Sequence, residues 1–223
     1  MSTTILIATR NQGKTDEFRQ FFGPDVLIRN FLDFPHLPEV EETGDTFEEN
    51  AILKAKALSM ETGDVYVLAD DSGIEVDALG GDPGVYSARY AGENATDAEN
   101  RTKLLNELEE AEALDPRSRS ARFRCVLALA RHGSVVRTFS GTCEGQIAFE
   151  ERGTGGFGYD SIFIPDGHSL TFGQLPSEEK NRISHRANAL GKLRLHLKEQ
   201  PLKATTEVFV NTKVDKWISD LMK

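Results

Sequence analysis

Two adjacent carboxylates, Asp70 and Asp71, follow an apolar run in "VYVLADDSG", residues 65–73. Carboxylates avoid apolar surroundings unless hydrogen bonds or a cation compensate them. The pair therefore either caps a turn on the amides of Gly73 or Ile74, or holds a cation at the end of a buried strand. Mg2+ takes one or two carboxylates together with phosphate oxygens and water. "EVEETG", residues 39–44, adds Glu39, Glu41 and Glu42, as further ligands or as a solvated acidic loop.

A second group carries positive charge and backbone donors. "ATRNQGKT", residues 8–15, sets polar donors, a glycine and Lys14 between a strand candidate and a helix candidate. Amides at a helix N-terminus and a mobile ammonium suit a polyphosphate. Gly13, Lys14 and Thr15 fit the end of a P-loop pattern, but Ala8 stands at its first glycine. A strand ending in aspartate also occurs in P-loop enzymes, so a phosphotransferase is one reading. An eased turn with a solvated lysine is another.

Two further segments could hold a flat or anionic ligand. In "GTGGFGYDSIF", residues 153–163, glycines let backbone approach a ligand, and Phe157 or Tyr159 offers a face for a base. The same residues also describe an aromatic anchor under a turn. "SEEKNRISHR", residues 177–186, puts Lys180, His185 and Arg186 near a helix start, where anions are favoured. Polar residues of an amphipathic helix would look the same.

Periodicity and caps outline the elements that must position these groups. Residues 3–9 and 26–34 are predicted strands flanking a helix over 15–22. A proline- and acid-rich loop follows over 35–46. Thr46 with Glu49, and Thr96 with Glu99, form capping boxes that open two helices. Residues 65–69 form a buried strand, and 73–92 are expected to be mostly irregular. Residues 120–149 read as two strands around a His-Gly-Ser turn, and 161–165 as another strand. Ser177 is expected to cap one long helix to about Lys198, with Ile183, Leu190 and Leu197 on its buried stripe. Strands alternate with helices early and run consecutively later, which implies an α/β protein with a mixed sheet.

Composition narrows the class. The 223 residues are 39% hydrophobic and 28% charged, as in a soluble globular chain of one large domain or two small lobes. A net charge of −10 argues against nonspecific binding to nucleic acid or anionic lipid. Cys125 and Cys143 lack metal-binding spacing and are expected as buried free thiols. The N-terminal apolar run is too short for a signal peptide, and the longest wholly apolar run, residues 125–130, falls far below a membrane span. The expected location is the cytoplasm.

Together, "ATRNQGKTDEF", "EETGDTFEENAILKAKA", "ADDSGIEVDALGGDPGVYSARYAG", "GTGGFGYDSIF" and "EEKNRISHRANAL" resemble, in order, five signature segments of the inosine/xanthosine triphosphate pyrophosphatase (Ham1-like) family. The resemblance spans roughly residues 3–197. It implies an α/β fold with a long central mixed sheet and two lobes flanking an active-site cleft. Residues 1–200 would form a single domain and 201–223 a tail of unassigned role. It implies a homodimer and Mg2+-dependent hydrolysis of ITP, dITP and XTP to the monophosphate and pyrophosphate, cleansing the nucleotide pool.

By position, Thr9, Arg10, Asn11, Gln12, Gly13 and Lys14 correspond to the phosphate loop, and Lys54 to a basic position near the phosphates. Glu41 and Asp71 correspond to metal ligands, and Asp71 also to the proton acceptor. Ser72, Phe157, Gly158, Tyr159, Asp160, Lys180, His185 and Arg186 correspond to substrate contacts. Arg10 stands where a small residue is frequent. Ser161 replaces a frequent proline, which is expected to loosen that turn without removing a functional group. On this resemblance the P-loop reading gives way to hydrolysis at the α-phosphorus.

Overall fold

The computed structural model describes residues 3–34 and 37–203. The chain opens with β1 (Thr3–Ile7), α1 (Gln12–Phe22) and β2 (Val26–Arg29), then α2 (Phe47–Glu61) and β3 (Tyr66–Val76). After α3 (Asp97–Glu110) come β4 (Ser120–Arg131), β5 (Ser134–Ile147), the short β6 (Phe163–Pro165), α4 (Ser177–Ile183) and α5 (His185–Glu199). The strands form one mixed sheet in the order β2-β1-β3-β4-β5-β6. β1 is parallel to both neighbours, whereas β3, β4, β5 and β6 pair antiparallel in sequence.

Both faces of β1 are covered, which is why "ILIA" is apolar throughout rather than alternating. Ile5 and Ile7 pack with Phe18 of α1 and with Leu190 and Leu193 of α5. Leu6 and Ala8 pack on the other face with Ala51, Ala55 and Leu58 of α2. The chain thus leaves β1 over one face to reach β2, and returns over the other face to reach β3. A crevice opens beyond the carboxyl end of a strand whose two neighbours are reached this way. A third cluster, around Ile74, Leu104, Phe123 and Phe163, fills the far end of the sheet.

β3 departs from the expected short strand. It does not stop at Ala69 but runs through Asp70, Asp71 and Ser72 to Val76, paired with β4 from Val67 to Val76. The aspartates therefore cap no turn. β1 pairs with β3 only as far as Ile7 opposite Leu68. Past that point the edge of β3 that β1 covered has no strand beside the aspartates, only an isolated bridge farther on between Glu75 and Pro83, and the loop after β1 crosses beside the aspartates.

Both capping boxes are present, on α2 and α3. The β4–β5 hairpin turns through His132 and Gly133, both at positive φ, as a two-residue turn that suits strand twist requires. Cys125 and Cys143 are free and buried, as expected. Within 73–92, residues 73–76 complete β3 and two 3-10 turns, Asp77–Leu79 and Gly84–Arg89, follow.

The expected long C-terminal helix is two helices. Ser184 is extended (φ −65, ψ 159), and its hydroxyl accepts from Ala187 N at 3.1 Å, capping α5. Ser177 is not a cap; Pro176 precedes α4. The break turns His185 and Arg186 inward at the first turn of α5. α5 lies so close to β5 that a Cβ on Gly141 would stand 2.1 Å from the His185 carbonyl oxygen. The expected single stripe is divided by the break: Leu190 is buried in the first cluster with Leu197 packed against it, whereas Ile183, at the end of α4, packs on the third cluster. Leu202 packs on the first cluster and Lys203 N donates to the Tyr66 hydroxyl at 3.3 Å, whereas residues 204–223 of the tail lie outside the described residues. Among the described residues no helix is long and apolar enough to cross a membrane.

Candidate active site

Side chains alternate along a strand, so Asp70 and Asp71 face opposite sides of the sheet. Asp70 points to the α1–α5 side and is fully buried at its side chain. Arg186 Nε reaches its Oδ2 at 2.9 Å, and Lys14 Nζ pairs with its Oδ1. The Ser72 hydroxyl (3.0 Å) and the Cys125 thiol (3.2 Å) donate to the same carboxylate. Burial pushes the Asp70 pKa up, but Arg186 and Lys14 overcome it and hold the group well below the ordinary carboxylate range. Both its oxygens are engaged by the protein itself.

Asp71 faces α2. Its Oδ1 accepts from Lys54 Nζ at 3.0 Å, while its buried Oδ2 has no hydrogen-bond partner. Burial raises the Asp71 pKa and nearby Glu42 adds to this, so Lys54 compensates it only in part. Lys54 has all three ammonium donors in use, on Asp71, on Glu42 Oε1 (2.8 Å) and on the Asp70 carbonyl (2.9 Å). Burial pulls the Lys54 pKa down, and Asp71 and Glu42 more than reverse it. The two lysines and two aspartates line a cavity of about 260 Å³ that also meets Thr9, Arg10, Glu39 and Glu42.

A second ionic chain leads away from Asp70. Arg186 also binds Glu17 of α1 at 2.5 Å, Glu17 binds Lys180 at 3.2 Å, and Lys180 binds Asp160 at 2.7 Å. Lys14, Arg186 and Lys180 thus alternate with Asp70, Glu17 and Asp160 through a largely buried strip. Such groups are tolerated only because each charge meets an opposite one. α1 supplies both Lys14 and Glu17, three residues apart on one face.

The strip borders a second cavity of about 120 Å³ that shares Lys14, Ser72 and Ala88 with the first. Its aromatic wall is Phe157, with Lys180 Nζ 4.6 Å from the ring centroid. His185 stacks on Phe123 at 4.7 Å and 14°, and its Nδ1 has no partner. Burial and then the Arg186 charge hold the His185 pKa well below the ordinary value, so the imidazole is neutral. Asp160 Oδ2 accepts from Phe157 N at 2.8 Å as well as from Lys180. That carboxylate requires Gly156: a Cβ there would lie 1.9 Å from Asp160 Oδ2, at a backbone φ of +73.

The structure gathers most of the residues singled out from sequence. Thr9, Arg10, Lys14, Lys54, Asp71 and Ser72 line the first cavity. Asn11, Phe157, Gly158, Tyr159, Asp160, Lys180, His185 and Arg186 line the second. Asn11 caps α1, its Oδ1 accepting from Lys14 N at 3.1 Å, and Gly13 lies under Phe157. Gln12 is exposed and turns away to Asp16. Glu41 is not brought in: it is exposed, and Glu42 turns inward instead to Lys54. In an extended segment only one of two neighbours can face the cavity. Ser161 is not loose, since its hydroxyl donates to Glu151 Oε2 at 3.1 Å. Sequence reasoning passed over Glu17 and the separate role of Asp70, and named Glu42 only as one of three acidic-loop candidates. A glutamate three residues after Lys14 was the available signal for Glu17.

The oxygen donors suit a hard divalent cation. Asp71 Oδ2 is a buried, unpartnered acceptor on a cavity that also meets Glu42. Among the described residues no three His, Cys, Asp or Glu side chains form a ready-made cage. Mg2+ needs none, because it keeps water and substrate oxygens as ligands.

Comparison with known proteins accords with this geometry. The Ham1 family profile matches residues 5–196. The dITP/XTP pyrophosphatase of Bacillus licheniformis is 53% identical over 190 residues, covering 85% of this chain and 95% of that protein. That of Geobacter sulfurreducens is 50% identical over 196 residues, covering 87% and 96%. The structure of a HAM1 protein from Coxiella burnetii superposes with a TM-score of 0.78 at 43% identity, covering 88% of this chain and 99% of that one. The Staphylococcus aureus Ham1 protein gives 0.77 at 44% identity, covering 89% and 100%. The chain belongs to the Ham1 family.

Proposed function

We propose that the chain hydrolyses non-standard purine nucleoside triphosphates such as dITP, XTP and ITP to the monophosphate and pyrophosphate, with Mg2+ as cofactor. One observation carries the reading: two cavities joined at Lys14, Ser72 and Ala88, one lined by lysines and carboxylates, the other walled by Phe157 and neutral His185. A nucleotide has the same division, a charged chain at one end and a flat ring at the other. The relatives' printed activity supports the choice of substrate.

In this reading the base stacks on Phe157. Arg186, Lys180 and the backbone at His185 present donors, which match the C6 oxygen of hypoxanthine or xanthine and mismatch the amino group of adenine. An unpaired polar group in a buried site discriminates strongly. Lys14 and Lys54 offset phosphate charge in the first cavity. Asp71, held at Oδ1 by Lys54, presents Oδ2 to accept a proton from the attacking water. Asp71 and the acidic 39–42 segment would hold Mg2+, which when bound supplies Lewis acidity toward the phosphate oxygens.

We place the enzyme in the cytoplasm as a homodimer working in a cleft between two lobes, with no nucleic-acid or membrane partner. The net charge of −10 supports a small-molecule substrate met in a locally basic pocket. The test is to incubate purified protein and Mg2+ with ITP, XTP, dITP, GTP and ATP in parallel. Release of pyrophosphate, fastest from the non-standard purines, is the expected result. Orthophosphate release, or a preference for ATP or GTP, would overturn it. Light scattering of the eluted protein tests the dimer.

A further inference from the structure

The second cavity has two walls that come from distant parts of the chain. One is the 84–91 segment, represented at the cavity by Ser87 and by Ala88, which also lines the first cavity; the other is the 156–160 loop with Phe157 and Gly158, and Asp97 of α3 meets the cavity beside it. Both are tied to the first two turns of α3. Asn100 is buried, its Nδ2 donating to Ala88 O at 3.1 Å and its Oδ1 accepting from Ala91 N at 2.8 Å. Asp97 Oδ2 accepts from Gly158 N at 2.7 Å, and Arg101 Nη1 donates to Gly158 O at 2.7 Å.

Residues 97, 100 and 101 lie on one helical face, at the spacing of one turn. The capping box of Thr96 and Glu99 fixes where that turn begins. Arg101 is itself anchored by an ion pair with Glu151 at 2.9 Å, and Glu151 accepts from Ser161 on the same loop. Gly158 sits at φ +59, so its peptide orientation is one that few residues adopt and that outside contacts must select. Both of its polar backbone atoms are gripped by α3. Neither requirement comes from the folding of α3 itself, whose own caps and Leu104 and Leu108 core contacts are complete without them.

We propose that this face of α3 is a brace that sets the width of the cavity, with Asp97, Asn100 and Arg101 as positioning residues for nucleobase selection. The assignment rests on reading that cavity as the nucleobase site. α3 acts through Gly158 on the neighbouring Phe157 ring, and through Ala88 on the facing wall. Loosening the grip on Gly158 lets the Phe157 wall move away, so contact with the base weakens while the phosphate cavity, which neither Phe157 nor Gly158 lines, keeps its lysines; Ala88 lines both cavities, so loss of the Asn100 grip would disturb both.

The test uses full-length D97A, R101M and the double variant, with D97N as the conservative control, since an Asn oxygen can still accept from Gly158 N. Steady-state kinetics with ITP should show KM raised about tenfold in the double variant with kcat nearly unchanged, the scale of losing charge-assisted hydrogen bonds. D97N should restore most of the loss. Binding of IMP should weaken in parallel, whereas binding of inorganic pyrophosphate should stay within about twofold. Hydrogen exchange at the 153–162 amides should quicken in D97A and R101M, a readout that needs no substrate. Unchanged exchange and unchanged KM would overturn the brace, as would equal losses of IMP and pyrophosphate binding accompanied by lowered melting temperature. A wild-type protein that releases no pyrophosphate from ITP would instead overturn the functional reading, leaving the exchange result to judge the brace.

Discussion

The same conservative substitution, made at two neighbouring residues, should have opposite consequences. Asp70→Asn removes a fully buried charge that faces Arg186, itself 2% exposed at its side chain, and Lys14. An asparagine keeps the shape but turns an amide NH2 toward a guanidinium, an ammonium or the Cys125 thiol. Removing one partner of a buried pair costs about 3–5 kcal/mol, because the remaining charge stays buried and uncompensated. For a chain of this size each kcal/mol moves Tm by about 2–4 °C, so D70N should melt roughly 6–20 °C below wild type. Asp71→Asn removes a carboxylate whose Oδ2 has no partner and whose pKa burial has already raised. Lys54 would retain Glu42 and the Asp70 carbonyl. D71N should therefore melt at or above the wild-type temperature in metal-free buffer, while losing turnover by orders of magnitude with modest loss of nucleotide binding. Urea and thermal denaturation followed by circular dichroism, with no nucleotide present, measure both. A D70N protein within about 1 kcal/mol of wild type, or a D71N protein as unstable as D70N, would refute the division of labour between the two faces of β3.

Three further outcomes follow from the same network. Burial raises the Glu17 pKa but Arg186 and Lys180 outweigh it, so the folded value lies below 4.5; its stabilisation is complete above that pH and lost as pH falls through the folded value. The stability gap between wild type and E17Q should accordingly be largest near neutral pH and close on acidification, as urea melts across that range will read. His185 is held neutral by burial, so below 6.5 only the unfolded chain takes up its proton. Its contribution should make stability fall with decreasing pH by up to about 1.4 kcal/mol per unit, a slope that H185N should flatten. Gly156→Ala places a methyl against Asp160 at positive φ; melting temperature and KM for ITP should both worsen, with pyrophosphate affinity little changed.

Much of this was visible in the residues. The two Thr-x-x-Glu boxes fixed the starts of α2 and α3, because a cap is a local hydrogen-bond motif. The His-Gly turn located the β4–β5 hairpin for the same kind of reason. The course of β3 was less legible. Paired aspartates look like a strand's end until β4 is seen to pair past them and Arg186, more than a hundred residues later, is seen to neutralise one of them. The break at Ser184 was hidden because Ser can sit within a helix or cap one, and only packing against β5 decides. Glu17 and Asn100 resembled ordinary polar residues on amphipathic helices. What sets them apart is the partner across space: the spacing from Lys14 puts Glu17 on the same helix face but does not name Arg186 and Lys180 as its partners. Among the acidic 39–42 residues, sequence could not choose which carboxylate turns inward; Lys54 makes that choice for Glu42.

The most direct test of the chemistry is where solvent oxygen goes. Hydrolysis of ITP in H2(18)O with Mg2+, followed by mass spectrometry, should place one labelled oxygen in IMP and none in pyrophosphate, the signature of water attacking the α-phosphorus beside Asp71. Label in pyrophosphate, or label in orthophosphate with IDP as the other product, would show the reaction running at a different phosphorus and would contradict the assignment of the first cavity.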